Sequence, residues 1–151
     1  MLIKPIEINN EVISKAAYTS CVIINHNNRL LLQYRPPNWR TFPDYLCCFG
    51  GKVESNEMPN QTILREINEE LGGKVKENEL IFLGAYTEEI TNHKDIVFGY
   101  FWNDSENTIT GCYEAECREF ETFNEVKKQS RVMDDTLWLL NQCYERNLIK
   151  L

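Results

Sequence analysis

The sequence predicts an α+β fold, an α/β/α sandwich in which helices cover the faces of a mixed β-sheet. Two observations carry this. Six runs rich in β-branched, aromatic and aliphatic residues are set off by turn signals, and two longer segments space their apolar residues at helical period. Their order, β-β-β-α-β-β-β-α, leads to a sheet with helical layers. A third observation concerns organisation. The 151 residues contain no repeat, low-complexity tract or linker, so 1–151 is expected to form a single domain with its core over about 15–147.

Residues 18–25 (Tyr18 to Asn25) form a strand by β-branched content, His26-Asn27-Asn28 turns the chain, and Arg29 to Tyr34 returns as a second strand. Residues 35–44 are a loop broken by Pro36, Pro37 and Pro43. Tyr45 to Phe49 is a short apolar strand running straight into Gly50. A helix is expected over about 58–71. Pro59 sits near its start, where the missing N–H costs little; Ser55 or Asn56 caps it; Gly72 or Gly73 ends it in the left-handed conformation. Leu80 to Ile90 and Asp95 to Asn103 are strands joined by Thr91-Asn92-His93-Lys94. A polar loop over 105–113 leads to a last strand, Glu116 to Phe123, then a helical turn, Asn124 to Lys128. Met133 to Asn147 is an amphipathic helix with Leu137, Leu139, Leu140 and Tyr144 as core candidates.

Charge narrows the function classes. Sixteen basic against 23 acidic residues give −7, which argues against broad electrostatic binding to nucleic acid or an anionic membrane. An anionic small molecule then needs a local cation, either a metal or an Arg/Lys pocket. No apolar run reaches the 18 or more residues of a membrane span, and Met1-Leu2-Ile3-Lys4-Pro5 lacks a signal-peptide layout, so a cytoplasmic location is expected. Six cysteines occur with no Cys-x-x-Cys pair and only two histidines, which speaks against zinc. Cys21, Cys47 and Cys48 lie in apolar strands and read as small core residues; all six thiols are expected reduced. Composition leaves a homodimer open.

The stretch 50–73 carries the chemistry. It opens on Gly50-Gly51 and closes on Gly72-Gly73, with Glu54, Glu57, Arg65, Glu66, Glu69 and Glu70 between. At about 100° per residue, Ile63, Leu64, Ile67 and Leu71 gather on one helix face, and Glu66, Glu69 and Glu70 on another. Three carboxylates so close repel one another, each pair costing a few tenths of a kcal/mol. A hard divalent cation reverses that sign, since Mg²⁺ takes oxygen ligands and keeps waters and substrate phosphates around it. The glycine pair lets backbone approach such an ion closely. A solvated acidic face explains Glu-x-x-Glu-Glu alone; it does not explain the flanking glycines, Arg65 and Glu57 in register. Arg65 reads as a structural partner of neighbouring carboxylates.

This stretch resembles the Nudix box, G-x5-E-x7-R-E-U-x-E-E-x-G-U, where U is a large aliphatic residue. Gly51, Glu57, Arg65, Glu66, Glu69, Glu70 and Gly72 fill the seven fixed letters, Ile67 fills the first aliphatic position, and Gly73 departs from the last. At roughly 6% per letter, seven matches at fixed spacing arise by chance on the order of once in 10⁸ to 10⁹ windows. The resemblance implies a MutT-like Nudix fold with the box helix on the sheet. It implies a hydrolase that uses Mg²⁺ or Mn²⁺ to cleave a diphosphate bond in a nucleoside diphosphate linked to another moiety. It further implies that the Gly50 carbonyl with Glu66, Glu69 and Glu70 holds the metal, and that one of these glutamates, or one from a later loop, activates water. Glu54 and Glu57 read as carboxylates that order the surrounding loop.

Outside the box single residues carry the signals. Arg35 falls where nucleotide-cleaning members place a phosphate- or ribose-contacting arginine, and reads equally as a solvated loop residue. Trp39 is a candidate for stacking on a base, as is Phe42, although packed loop aromatics are the plainer reading. Glu114 and Glu116 fall where family members supply a late-loop glutamate; each reads first as surface. Cys48-Phe49 stands where pool-cleaning members carry Phe-Pro, which weakens an oxidised-nucleotide specificity. Two alternatives remain: a Nudix-fold binding module without catalysis, although no box glutamate is missing, and an enzyme like isopentenyl-diphosphate isomerase. The second relies on histidine ligands, and His26 and His93 lie far from Gly50 in sequence.

Overall fold

The structure is a computed structural model and describes residues 2–151. Its centre is β2 (Ala16–Ile24). Successive side chains of a strand point to opposite faces, and β2 uses both. Cys21 and Ile23 enter one apolar cluster, Val22 and Ile24 the other, all buried. Along one edge β2 pairs in parallel with β7 (Ile96–Asn103). Its other edge is shared. Tyr18 to Cys21 pair with β5 (Phe49–Lys52), and Ile23 and Ile24 with β3 (Leu30–Tyr34), both antiparallel. Beyond these, β3 pairs with β4 (Leu46–Cys47) and β8 (Glu116–Phe120), and β7 with β6 (Ile81–Glu88). Among the described residues the result is an eight-stranded mixed sheet.

Helix α2 (Pro59–Leu71) covers one face, burying Ile63, Ile67 and Leu71 in the cluster of Cys21, Ile23, Phe49 and Phe98. Helix α4 (Asp134–Glu145) covers the other, with Leu139, Leu140 and Cys143 among Val22, Ile24, Leu32 and Phe101. The expected α/β/α sandwich is thus formed. Short helices α1 (Asn10–Ser14) and α3 (Phe123–Lys127) flank it. Among the described residues no helix is long and apolar enough to cross a membrane.

The departures from expectation have local causes. Strand β1 (Ile3–Ile6), outside the expected core, pairs antiparallel with β6 and places Pro5 opposite Tyr86. Pro5 donates no hydrogen bond, so this short strand suits a sheet edge. The apolar strand at 45–49 divides at Cys48, and its second part continues through the glycine pair as β5. Met58, not Ser55 or Asn56, is the N-cap of α2; its backbone N–H donates to Gln61 Oε1 at 2.8 Å. Gly72, φ +70°, supplies the left-handed C-cap. In α4 Cys143 is buried where Tyr144 is 39% exposed. Gly73, the departure from the box, also has a reason. A Cβ there would stand 2.8 Å from Ile67 and 3.1 Å from the Trp102 ring. The Trp102 indole and Ile67 leave no room for a side chain at this position.

Candidate functional site

Strand β5 and helix α2 build the site between them. Gly51 pairs with Thr19 of β2, and a Cβ on it would overlap the Glu66 carboxylate. The glycine is therefore required by the approach of that carboxylate. A Cβ on Gly50 would instead strike the Thr19 backbone carbonyl.

Arg65 organises the acidic face. Its Nε and Nη2 donate to the two oxygens of Glu57 at 2.7 and 3.1 Å. Nη1 donates to Glu66 at 2.9 Å and to Glu69 at 3.3 Å, and Nη2 to the Lys52 carbonyl at 3.0 Å. Glu54 lies 3.8 Å from the guanidinium. Glu57 also accepts from Thr62 Oγ1 at 2.8 Å and from the Glu54 N–H at 3.0 Å. Arg65 first, aided by these donors, holds the Glu57 carboxyl down at about 2. Glu57 is thus a clamp for the loop and the arginine.

The clamp makes stability depend on pH. A folded-state pKa of about 2 lies below the ordinary glutamate value of 4.5, so the stabilisation is present above 4.5 and lost as pH falls toward 2. Glu57→Gln is expected to cost about 2 kcal/mol at pH 7, the range for hydrogen bonds to charged groups. The gap from the unsubstituted protein should narrow as pH is lowered. Thermal melts at pH 7 and pH 3.5 check this; an equal gap at both would sink it.

Glu66, Glu70 and Glu114 each present a carboxylate oxygen, and these atoms lie within 4.8 Å of one another. Glu70 is 4% exposed, and its Oε2 is buried without a hydrogen-bond partner among the described residues. Burial, then the charges of Glu66 and Glu114, push its carboxyl up to about 9. Burial raises Glu66 as well, against the pull of Arg65. Without a cation, Glu70 keeps its proton at neutral pH. Oxygen donors, one orphaned and buried, crowded at this distance, fit a hard divalent cation. Glu69 stands apart from the trio, half-exposed and turned to Arg65. Glu114 takes the third place, from the late loop that read as surface. It arrives through contacts distant in sequence. Tyr113 N–H donates to the Glu70 carbonyl at 2.9 Å, and the Thr110 and Gly111 N–H groups to Leu71. No local pattern signals this. Glu116 lies apart, in β8, 3.7 Å from Arg118.

A cavity of about 330 Å³ adjoins the glycine pair, with Gln33, Arg35, Phe42, Glu88 and Asp135 in its wall. Arg35 Nη1 donates to the Thr41 carbonyl and hydroxyl at 3.0 and 3.2 Å, while its buried Nε has no partner among the described residues. Trp39 lies elsewhere, in a hollow with Pro36, Asn38 and Arg40.

The cysteine expectation needs correction. Cys112 and Cys117, with Cα atoms 6.1 Å apart, form a disulfide. Five residues of separation give no recognisable spacing. The pair meets because the chain before Glu114 is tied to the end of α2 while Cys117 is paired into β8. Cys21, Cys47 and Cys48 are free and buried, as expected of core thiols, and Cys143 is free and buried as well.

A NUDIX domain family model matches residues 15–138. The chain belongs to the Nudix family. Several solved structures share the Nudix fold with it. A MutT protein from Methanosarcina mazei Go1 is 19% identical, with a TM-score of 0.66 over 86% of this chain and 93% of that one. A MutT studied from Aliivibrio salmonicida and Vibrio cholerae is 16% identical, TM-score 0.63, over 86% and 97%. A bifunctional NMN adenylyltransferase/ADP-ribose pyrophosphatase from Francisella tularensis, complexed with AMP and a Mn ion, is 18% identical, TM-score 0.65, over 91% of this chain and 47% of that one. At such identities these likenesses concern the fold of this Nudix chain. A comparison with curated proteins finds no match.

Proposed function

We propose that this MutT-like Nudix hydrolase cleaves the diphosphate bond of a nucleoside diphosphate linked to another moiety, with Mg²⁺ or Mn²⁺ held by Glu66, Glu70 and Glu114 and by the Gly50 carbonyl. The carrying observation is the carboxylate trio, with its orphaned buried oxygen, beside a glycine strand. A bound divalent cation supplies charge for the phosphoryl oxygens and acidifies water. The chain's own residues do the rest. Arg65 fixes Glu66 and screens it from Glu69. Glu69 is the box carboxylate left outside the trio and open to water, which makes it the candidate base for the attacking water. The cavity beside Gly50 takes the remaining moiety, with the free Nε of Arg35 as a donor for phosphate or ribose. Burial pushes Glu88 up to about 7, so the cavity also offers a hydrogen-bond donor near neutral pH. His26 is exposed in the β2–β3 turn and His93 Nδ1 is hydrogen-bonded to Thr87 at 2.9 Å. Neither joins the carboxylates, so nothing favours an isomerase like isopentenyl-diphosphate isomerase.

The test is product analysis on a panel of nucleoside diphosphate derivatives with Mg²⁺ or Mn²⁺. Cleavage of at least one compound, lost in EDTA, is expected. Full turnover in chelator overturns the reading, and ligand binding without turnover across the panel points to a binding module instead.

Arg35→Ala is expected to raise KM about tenfold or to change the preferred substrate, the loss of one charge-assisted contact. Trp39→Ala, whose ring lies off the cavity, should shift KM less. Steady-state kinetics on two substrates, beside thermal melts, separates a lost contact from lost stability. Unchanged kinetics in Arg35→Ala would move the specificity pocket elsewhere.

A further inference from the structure

The loop that delivers Glu114 is closed by the one disulfide seen among the described residues. Cys112 and Cys117 bracket Glu114, five residues apart. On the near side, Tyr113 is tied to the Glu70 carbonyl at 2.9 Å. On the far side, Glu116 and Cys117 sit opposite Tyr34 and Gln33 in the β3–β8 ladder. Between these anchors Ala115 and Glu114 form a bend, and the Glu114 side chain is exposed. The covalent ring therefore spans the segment on which the third carboxylate depends.

We propose that the Cys112–Cys117 bond positions Glu114 toward Glu66 and Glu70, so that divalent-cation binding depends on the redox state of this pair. The inference rests on the reading of the trio as a metal site. In the oxidised form the ring restricts the bend, and the ordering cost of placing Glu114 falls outside the binding event. In the reduced form that cost is met when the cation binds, and affinity drops. Reduction is a two-electron step. A thiolate of an external dithiol attacks one sulfur and releases the other cysteine. The second dithiol sulfur then displaces the first cysteine from the mixed disulfide. Two cysteine thiols form, taking two electrons and two protons, and the dithiol ends as its own disulfide.

The pair is also the one open to such chemistry. Cys112 and Cys117 are half-buried, whereas Cys21, Cys47, Cys48 and Cys143 are buried. Burial pushes Cys47 up to about 11 and Cys143 up to about 12, and it raises Cys21 and Cys48 too. Mild reduction addresses this one disulfide among the described residues, and the buried thiols, kept protonated, are poor at exchanging into it.

The experiment measures Mn²⁺ affinity by calorimetry and by the electron paramagnetic signal of free Mn²⁺. Protein purified under air is compared with protein reduced by dithiothreitol and desalted without oxygen. Denatured free-thiol counts should be four and six respectively. Reduction is expected to weaken Mn²⁺ binding about tenfold, a coupling of ordinary allosteric size. Cys112→Ser should bind like the reduced form. In a Glu114→Gln background reduction should change nothing, because the carboxylate that the ring positions is gone. Equal affinity in both redox states overturns the proposal, as does an equal loss in Glu114→Gln, or six free thiols in aerobic protein. Glu70→Gln separates the two readings. If it abolishes binding while reduction has no effect, only the positioning role fails; if it binds Mn²⁺ like the unsubstituted protein, the metal reading fails as well.

Discussion

Glu70→Gln is expected to lower kcat by about 100-fold or more while making the cation-free protein more stable. Both effects come from one buried carboxyl. Glu70 is 4% exposed, has an orphaned Oε2, and faces Glu66 and Glu114. Its folded-state pKa of about 9 lies above the ordinary 4.5, so the folded protein binds the extra proton. Stability is full below 4.5 and is lost as pH rises through 9. Glutamine cannot ionise, and its amide can donate to Glu66. Its advantage should therefore grow across that window, reaching about 1–3 kcal/mol in weakly alkaline buffer. Mn²⁺ should raise the melting temperature of the unsubstituted protein and leave Glu70→Gln where it was. Glu69→Gln is expected to lower kcat to a similar degree through the water, without the gain in stability. Glu121→Gln, whose carboxylate meets Arg29 at 3.4 Å on the far side of β8, is the control. If Glu70→Gln and Glu121→Gln cost the same modest amount, the trio is not the active site.

The helix was legible because its signals are local. Seven letters at fixed spacing, a proline at the start and a glycine at the end all lie within 50–73. Arg65 could be read as a structural partner for the same reason: Glu57, Glu66 and Glu69 are neighbours on or beside one helix. The α/β/α layering followed from strand runs and helical period; the order of strands within the sheet did not. What escaped depends on contacts between distant segments. Ile3–Ile6 is a strand because β6 has a free edge, and its Pro5 argues against that reading until the edge is known. Glu114 looks like surface because it is exposed; the tie from Tyr113 to Glu70, invisible in the local pattern, brings its loop beside the trio. Glu69 looks equivalent to Glu66 and Glu70 by helical phase, yet Arg65 draws it aside. Trp39 lies in the expected loop, but the loop turns it away from the cavity that Arg35 lines.

Gly51→Ala should lower kcat by about 100-fold, the usual cost of displacing a reacting group by an ångström, with little change in melting temperature. The reason is what the added methyl meets. It overlaps the Glu66 carboxylate, the far end of a flexible side chain that can swing aside. Swinging aside takes Glu66 out of reach of Glu70 and Glu114 and loosens its 2.9 Å bond to Arg65. Mn²⁺ affinity should therefore fall together with kcat. Gly50→Ala, one residue earlier, provides the contrast. There the methyl meets the backbone carbonyl of Thr19 in the neighbouring strand, and backbone cannot swing aside. That variant should lose stability, because the β2–β5 ladder must open to admit the methyl. Melting curves and Mn²⁺ titrations on the two alanine variants give opposite patterns if glycine is kept at 51 for the carboxylate and at 50 for the sheet. Full Mn²⁺ affinity in Gly51→Ala would mean that Glu66 does not need to lie against β5, and the trio would lose its first member.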